Sequence, residues 1–180
     1  ILERVKKLKS FKSIPQGYWL CGVRSKRDLP DQFDDDMYLF KGETLIMKTT
    51  CTTNPGLPAL KTFEQAGLTG AAVVKADEWY YDLWAPGLHK GKMRALRQIN
   101  PILYYRDNNR NDKSEALGSV QRGIIGINFH TSSYNMNPII YNKVGGWSYG
   151  CQVCNNIKEY YKIIDTIGNQ RTVSYCLLQN

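Results

Sequence analysis

Only one stretch of this chain has the spacing of a long amphipathic helix, while short strand-like segments occupy most of the remainder. The stretch covers residues 155–167, with apolar side chains along one face and Gly168-Asn169 placed to end the helix. Many short strands with one late helix predict a mainly β (α+β) fold, arranged as a sandwich-like domain.

The strand candidates are short runs of apolar, aromatic and β-branched residues. They cover residues 18–24, 37–40, 45–50, 71–75, 102–105, 124–130 and 173–178. Loops are predicted at Asn54-Pro55-Gly56, at Ala85-Pro86-Gly87 and at residues 107–112. A weaker helix is expected over residues 57–66. Residues 1–16 are expected to form a basic arm, followed by a single β-rich domain over residues 17–180.

Charge and hydropathy exclude some classes of partner. No run of about 18 apolar residues is present, so no membrane span is expected. The net charge of +8 favours polyanions such as cell-wall polymers. The basic residues are mostly dispersed and accompany no base-reading motif, so nucleic acid is not expected as a partner. Five cysteines leave at least one thiol without an intramolecular partner.

The segment from residue 123 to residue 167 carries the candidate chemistry. An apolar strand ends at His130, and the loop Trp147-Ser148-Tyr149-Gly150-Cys151 directly precedes the predicted helix. A cysteine at a strand-to-helix turn can have its pKa lowered by backbone N–H groups and the helix dipole. A nearby imidazole can take the thiol proton and return it to a leaving amine. We therefore predict Cys151 as the nucleophile and His130 as its base, with N–H groups of residues 149–151 as oxyanion donors.

His130, a spacer of seventeen residues and Ser148-Tyr149-Gly150-Cys151 resemble the signature of the L,D-transpeptidase catalytic domain, also called the YkuD-like domain. That family's pattern is a His, a spacer of similar length, then Ser-His-Gly-Cys followed by a helix. The turn at residues 52–56 is similar to a Thr-Pro-x-Gly turn of the family. The resemblance implies a β-sandwich fold and attack on the peptide stems of bacterial peptidoglycan through a cysteine thioester. It implies no metal and no organic cofactor.

Carried over by position, the resemblance makes Cys151 the nucleophile and His130 the base, with Ser148 and Gly150 supporting the cysteine loop. Tyr149 stands where the family has a second His, and Val153 where it has Arg or Asn. No third member of a triad is marked, so a backbone carbonyl is a candidate to hold the imidazole tautomer. Two further residues are candidates for substrate contacts: Trp147 and His89. The alternative for His89 is a solvated loop histidine.

Several functional alternatives remain open at this level. Hydrolysis and exchange share the same acyl-enzyme and differ only in whether water or an amine resolves it. A phage-encoded lytic protein acting in the cell wall or periplasm fits the composition. A non-catalytic wall-binding or structural module of a virion or envelope assembly fits as well, and a cysteine protease acting on proteins fits the dyad. Cys151 and Cys154 also form a Cys-x-x-Cys pair, for which a buried structural Cys154 is the expected explanation.

Overall fold

The computed structural model describes residues 1–27, 29–135 and 140–180. The strands are β1 (Tyr18–Arg24), β2 (Asp35–Lys41), β3 (Thr44–Thr52), β4 (Ala71–Val74), β5 (Glu78–His89), β6 (Met93–Gln98), β7 (Ile102–Asp107), β8 (Gln121–Gly123), β9 (Phe129–Thr131), β10 (Gln152–Cys154) and β11 (Val173–Gln179). The helices are α1 (Leu2–Lys6), α2 (Leu57–Lys61) and α3 (Ile157–Ile167), with 3₁₀ turns at Phe63–Ala66 and Gly145–Trp147. With 39% strand and 16% helix, the predicted mainly β class is confirmed.

Eight of the strands form one closed barrel. Their order is β1-β11-β5-β6-β9-β10-β3-β2, and β2 pairs back to β1. The pairs β1–β11 and β9–β10 are parallel, and the others are antiparallel. Closing the sheet removes the unpaired edges that an open sheet would expose. Strands β4, β7 and β8 form a separate antiparallel sheet.

The sheet geometry differs from the expected sandwich. The larger sheet closes on itself because β11, from the C-terminal end of the chain, inserts between β1 and β5. The smaller sheet packs on this barrel, since Ala72 and Tyr104 belong to the same buried cluster as the barrel residues Leu83 and Phe129. Two sheets therefore do pack together, but one of them is a closed barrel.

Helix α3 follows the expected boundaries closely. Asn156 caps its first turn by accepting the backbone N–H of Glu159 at 3.2 Å, and Gly168 ends it with a φ of 55°. The buried face packs on the barrel core, and the hydroxyl of Tyr160 donates to the carbonyl of Arg94 at 2.7 Å. Each apolar side chain buried along this face contributes about 1.5–3 kcal/mol. No helix in the described part of the chain is long and apolar enough to cross a membrane.

Strand β5 continues through the segment Ala85-Pro86-Gly87, where a loop was predicted. The ladder between β5 and β11 ends at Trp84, and beyond that point β5 pairs only with β6. A proline is tolerated at a position where its strand has a neighbour on one side only. As a consequence, His89 lies at the end of a strand.

The strand expected over residues 124–130 shortens to β9. Just before it, the side chain of Gln98 accepts the backbone N–H groups of Ile125 and Ile127 at 3.0 and 2.8 Å. Gly126 lies between them with a φ of 83°, a conformation that glycine adopts without strain. Residues 124–128 therefore belong to no strand, and the carbonyl of Gly126 accepts the thiol proton of Cys151 at 3.4 Å.

The N-terminal arm packs on the outside of the barrel. Val5 of α1 is fully buried in a cluster that includes Trp19 and Trp79. The indole N–H of Trp79 donates to the carbonyl of Val5 at 2.9 Å. The arm is thus covered by aromatic side chains of β1 and β5.

Candidate functional site

His130 is a fully buried residue of β9. Its Nδ1 lies 2.8 Å from the carbonyl oxygen of Thr131, which can only accept, so Nδ1 carries the ring proton. The lone pair is then on Nε2. Within residues 1–27, 29–135 and 140–180, this buried Nε2 has no hydrogen-bond partner. The imidazole is therefore held in one tautomer, with its basic nitrogen free.

Cys151 lies immediately before β10 and is 9% exposed. Its Sγ accepts the backbone N–H of Asn128 at 3.5 Å and donates its own proton to the carbonyl of Gly126 at 3.4 Å. Strand β10 separates the cysteine from α3, so the expected position at a helix N-terminus is wrong. Because the helix dipole acts only within its first turn, it does not activate this thiol.

The pairing of β9 with β10 shows how Cys151 and His130 are placed relative to each other. In the parallel pair of β9 and β10, Val153 is level with His130, and the N–H of Gln152 donates to the carbonyl of Asn128 at 2.9 Å. Cys151 is therefore two residues from the level of His130. Alternate residues share a sheet face, so the register places Cys151 and His130 on the same face as diagonal neighbours. No hydrogen bond joins Sγ to either ring nitrogen.

Burial keeps both groups neutral at ordinary pH. Burial, together with the smaller effect of the neighbouring His89, lowers the pKa of His130 to about 3. Burial also raises the pKa of Cys151 to about 11, although the N–H of Asn128 opposes that shift. The lowered thiol pKa expected from the sequence is thus wrong. The resting site holds a thiol and a neutral imidazole in place of an ion pair.

The loop before the cysteine is tied together by Ser148. Its buried hydroxyl donates to the carbonyl of Cys151 at 2.9 Å and accepts the N–H of Gly150 at 3.2 Å. One of the expected oxyanion donors is therefore already bonded within the loop. The carbonyl of Tyr149 accepts the N–H of Ala72 in β4, and its partly buried ring packs beside Leu60.

Gly150 is required by a close approach of two backbones. It has a φ of 133°, and a Cβ atom there would lie 2.6 Å from the carbonyl oxygen of Ala72. The resemblance gave this glycine a supporting position in the cysteine loop. In the structure it lets the backbone of the cysteine loop lie directly against strand β4 of the second sheet.

Gln152 also supports the loop, although nothing in the sequence singled it out. This buried side chain donates to the carbonyl of Gly150 at 3.1 Å and accepts the hydroxyl of Tyr175 at 2.6 Å. Its position directly after the cysteine was the only available signal.

His89 is a buried neighbour of the site, so the solvated-loop alternative is wrong. Its ring stacks on that of His130, with centroids 4.0 Å apart and planes 19° apart. The side-chain amide of Asn128 donates to its Nδ1 at 3.2 Å. The carbonyl of that amide is fixed in turn by the N–H of Gln98 at 2.9 Å. Burial lowers the pKa of His89, and the charges of Lys90 and Arg97 lower it further.

Trp147 packs near the cysteine. It is half-buried against the cluster that contains Cys151 and Val153, and its ring contacts the exposed ring of Tyr134 at 5.1 Å. Together, Trp147 and Tyr134 form an aromatic surface that adjoins the cluster containing Cys151. Cys154, the other member of the Cys-x-x-Cys pair, is fully buried in β10.

An open cleft of about 480 Å³ lies next to His89. Its lining residues are Leu88, His89, Lys90, Gly91, Arg97 and Asn128. Among the described residues, no group of three or more His, Cys, Asp or Glu side chains is placed to hold a metal ion. The polar side chains of this lining are two cations, an imidazole and an amide.

Comparison with family models, with curated proteins and with solved structures found no match for this chain. The resemblance to L,D-transpeptidases thus depends on the residues around His130 and Cys151.

Proposed function

We propose that this chain is an L,D-transpeptidase-like enzyme that cleaves or exchanges peptide stems of bacterial peptidoglycan through an acyl-enzyme on Cys151. His130 is its general base. The observation that carries the proposal is the free Nε2 of His130, which is buried and on the same sheet face as the cysteine. A buried basic nitrogen without a partner is costly to maintain in a merely structural residue.

The proposed reaction begins with the neutral pair. Sγ attacks a substrate carbonyl while its proton passes to Nε2 of His130, and the Thr131 carbonyl stabilises the resulting imidazolium through Nδ1–H. The imidazolium then gives that proton to the departing amine, which leaves a thioester. Water or a second amine resolves the thioester and regenerates the thiol. Because the resting thiol donates to Gly126, attack requires Sγ–H to turn from that carbonyl toward His130.

The setting of the site is consistent with this chemistry. The backbone N–H of Asn128 points at Sγ and stabilises negative charge there as the proton leaves. Trp147 and Tyr134 supply an apolar surface for a peptide, and the net charge of +8 favours approach to an anionic wall. We propose the cell wall or periplasm as the site of action, with a phage virion as the alternative source.

The test is incubation with purified muropeptides, followed by mass analysis of the products. We expect wild type to release an amine or a terminal D-Ala, or to form a new amide, and Cys151→Ala to do neither. Cys154→Ala is the matched control, because it removes the other thiol of the Cys-x-x-Cys pair from a buried position outside the proposed reaction. Equal loss in both variants would point to a redox or structural pair.

A non-catalytic wall-binding module is the second candidate, favoured by the raised pKa of Cys151 and the missing hydrogen bond to His130. Retention of wild type on insoluble peptidoglycan without any mass change in the muropeptides would support it over the enzyme.

A further inference from the structure

The ring of His89 covers one face of the proposed base. The two imidazoles are nearly parallel, with centroids 4.0 Å apart and planes 19° apart, and both residues are buried. A ring packed against one face of another fixes the plane of that ring, and with it the direction in which its nitrogens point. The direction of Nε2 in His130 is therefore set by His89 as well as by the bond from Nδ1 to Thr131.

Three neighbouring strands of the barrel bring the two rings together. His89 is the last residue of β5, which pairs with β6, and β6 reaches β9 where Leu96 is level with Phe129. Because β6 and β9 are antiparallel, Ala95 then comes level with His130. This small side chain leaves space on that face of β6 for the ring of His89. The stack thus follows from the strand order β5-β6-β9.

The hydrogen bonds of Asn128 fix the tautomer of His89. The side-chain carbonyl of Asn128 accepts the N–H of Gln98 at 2.9 Å, so its NH₂ group is the one that lies 3.2 Å from Nδ1 of His89. An amide NH₂ group can only donate, so Nδ1 of His89 carries the lone pair and Nε2 carries the proton. The stacked rings are therefore opposite tautomers, since His130 is protonated at Nδ1.

The surroundings of His89 also keep its ring neutral. A proton added at Nδ1 would face the NH₂ group of Asn128 and break that hydrogen bond. Burial lowers the pKa of His89, and the charges of Lys90 and Arg97 lower it as well. A protonated His89 would repel a charge on His130, whereas a neutral ring presents its π face to a neighbouring cation. A proton released in this site therefore goes to His130 and not to the ring beside it.

We infer that His89 is a positioning residue, whose neutral ring fixes the direction of Nε2 in His130 and stabilises the imidazolium formed as Cys151 loses its proton. This inference rests on the proposed function and adds a third side chain to its machinery. The role differs from the substrate contact predicted from the sequence, because His89 acts through His130 and requires no bond to the peptide.

The test compares His89→Phe with His89→Leu. Both substitutions remove the hydrogen bond to Asn128, but only phenylalanine keeps a flat neutral ring over His130. Formation of the acyl adduct on Cys151 is followed by intact-mass spectrometry in a single turnover with a saturating stem peptide. We expect the rate in His89→Phe to stay within about threefold of wild type and the rate in His89→Leu to fall at least about tenfold, as expected for a desolvated cation–π contact.

Calorimetric titration of the same peptide into Cys151→Ala protein separates positioning from substrate contact. When either substitution of His89 is added to Cys151→Ala, the dissociation constant should stay within about twofold of its value without that substitution. Weaker binding with an unchanged acylation rate would make His89 a substrate contact and overturn the inference. Equal rates in His89→Leu and wild type, or an equal loss in His89→Phe and His89→Leu, would overturn it as well.

A spectroscopic measurement reports on the two rings without turnover. The chain has two histidines, so nitrogen-15 labelling of histidine gives one set of ring signals for each, and either substitution of His89 assigns them. We expect opposite neutral tautomers in wild type at pH 7, and a charged His89 or two identical tautomers would contradict the inference. No adduct in wild type would reject the proposed enzyme and the role of His89 together. An adduct in wild type that forms equally fast in His89→Leu would reject the role of His89 alone.

Discussion

The environment of Cys151 determines how its thiol should react. The other four cysteines are fully buried, whereas Cys151 keeps 9% exposure. Cys21 is level with Cys176 on neighbouring strands, and Cys51 with Cys154. The odd cysteine count indicated at least one unpaired thiol, but only the strand register shows that Cys151 is the one without a cysteine opposite it.

We predict that iodoacetamide labels Cys151 slowly at pH 7 in the free protein. The thiolate is the reactive form, and burial raises its pKa to about 11, so the rate should keep rising about tenfold per pH unit through about pH 10. Mass mapping of the labelled cysteine at each pH measures this, with free cysteine as the control. A plateau in the rate by pH 8 would contradict the buried-thiol description.

We predict that His130 makes the fold sensitive to mild acid. Its pKa in the fold is about 3, while an unfolded histidine titrates near its ordinary value of about 6.5. As pH falls below about 6.5, the unfolded chain binds a proton that the folded chain does not. The free energy of unfolding therefore falls until pH approaches 3. Between pH 7 and 5 this residue should remove about 2 kcal/mol from the free energy of unfolding.

Denaturant titrations of wild type and His130→Gln at both pH values check this. The variant should lose about 2 kcal/mol less than wild type over the same interval, whatever its stability at pH 7. The two proteins losing the same amount would show that His130 titrates alike in the folded and unfolded chain.

At the scale of elements, local patterns predict some boundaries and miss others. Helix α3 follows from its apolar spacing and its cap, because both are local properties. The strand through Pro86 depends on which neighbours a strand has, and the irregular segment before β9 depends on the side chain of Gln98. These are tertiary features, and no short-range pattern contains them.

We predict that Gly150→Ala separates the cysteine loop from the second sheet. The new Cβ would meet the carbonyl of Ala72 at 2.6 Å, and alanine is strained at a φ of 133°. The expected loss of unfolding free energy is about 2–4 kcal/mol. Gly146→Ala is the control, because its Cβ would contact nothing within 4 Å. Chemical denaturation of both variants decides this, and equal stabilities would show that the loop does not depend on the close approach.

At the scale of the whole molecule, closure of the barrel was the feature least accessible from the sequence. It requires β11 to pair with β1 and β5, which lie far from it along the chain. Another long-range pairing, between β6 and β9, brings His89 at the end of β5 onto His130, so a residue that looked like part of a polar turn became part of the candidate site. The motif around Cys151 could be recognised locally. The burial that keeps its thiol protonated could not be recognised in this way, because burial is a property of the assembled fold.

The central claim is that Cys151 becomes acylated with His130 as its base. The most direct measurement is intact-mass spectrometry of protein quenched in acid during turnover of a stem peptide, with the adduct located by peptide mapping. The account predicts an acyl adduct on Cys151 in wild type, and at least a hundredfold slower adduct formation in His130→Gln. An adduct on another residue, no adduct in wild type during product formation, or an unchanged rate in His130→Gln would contradict it.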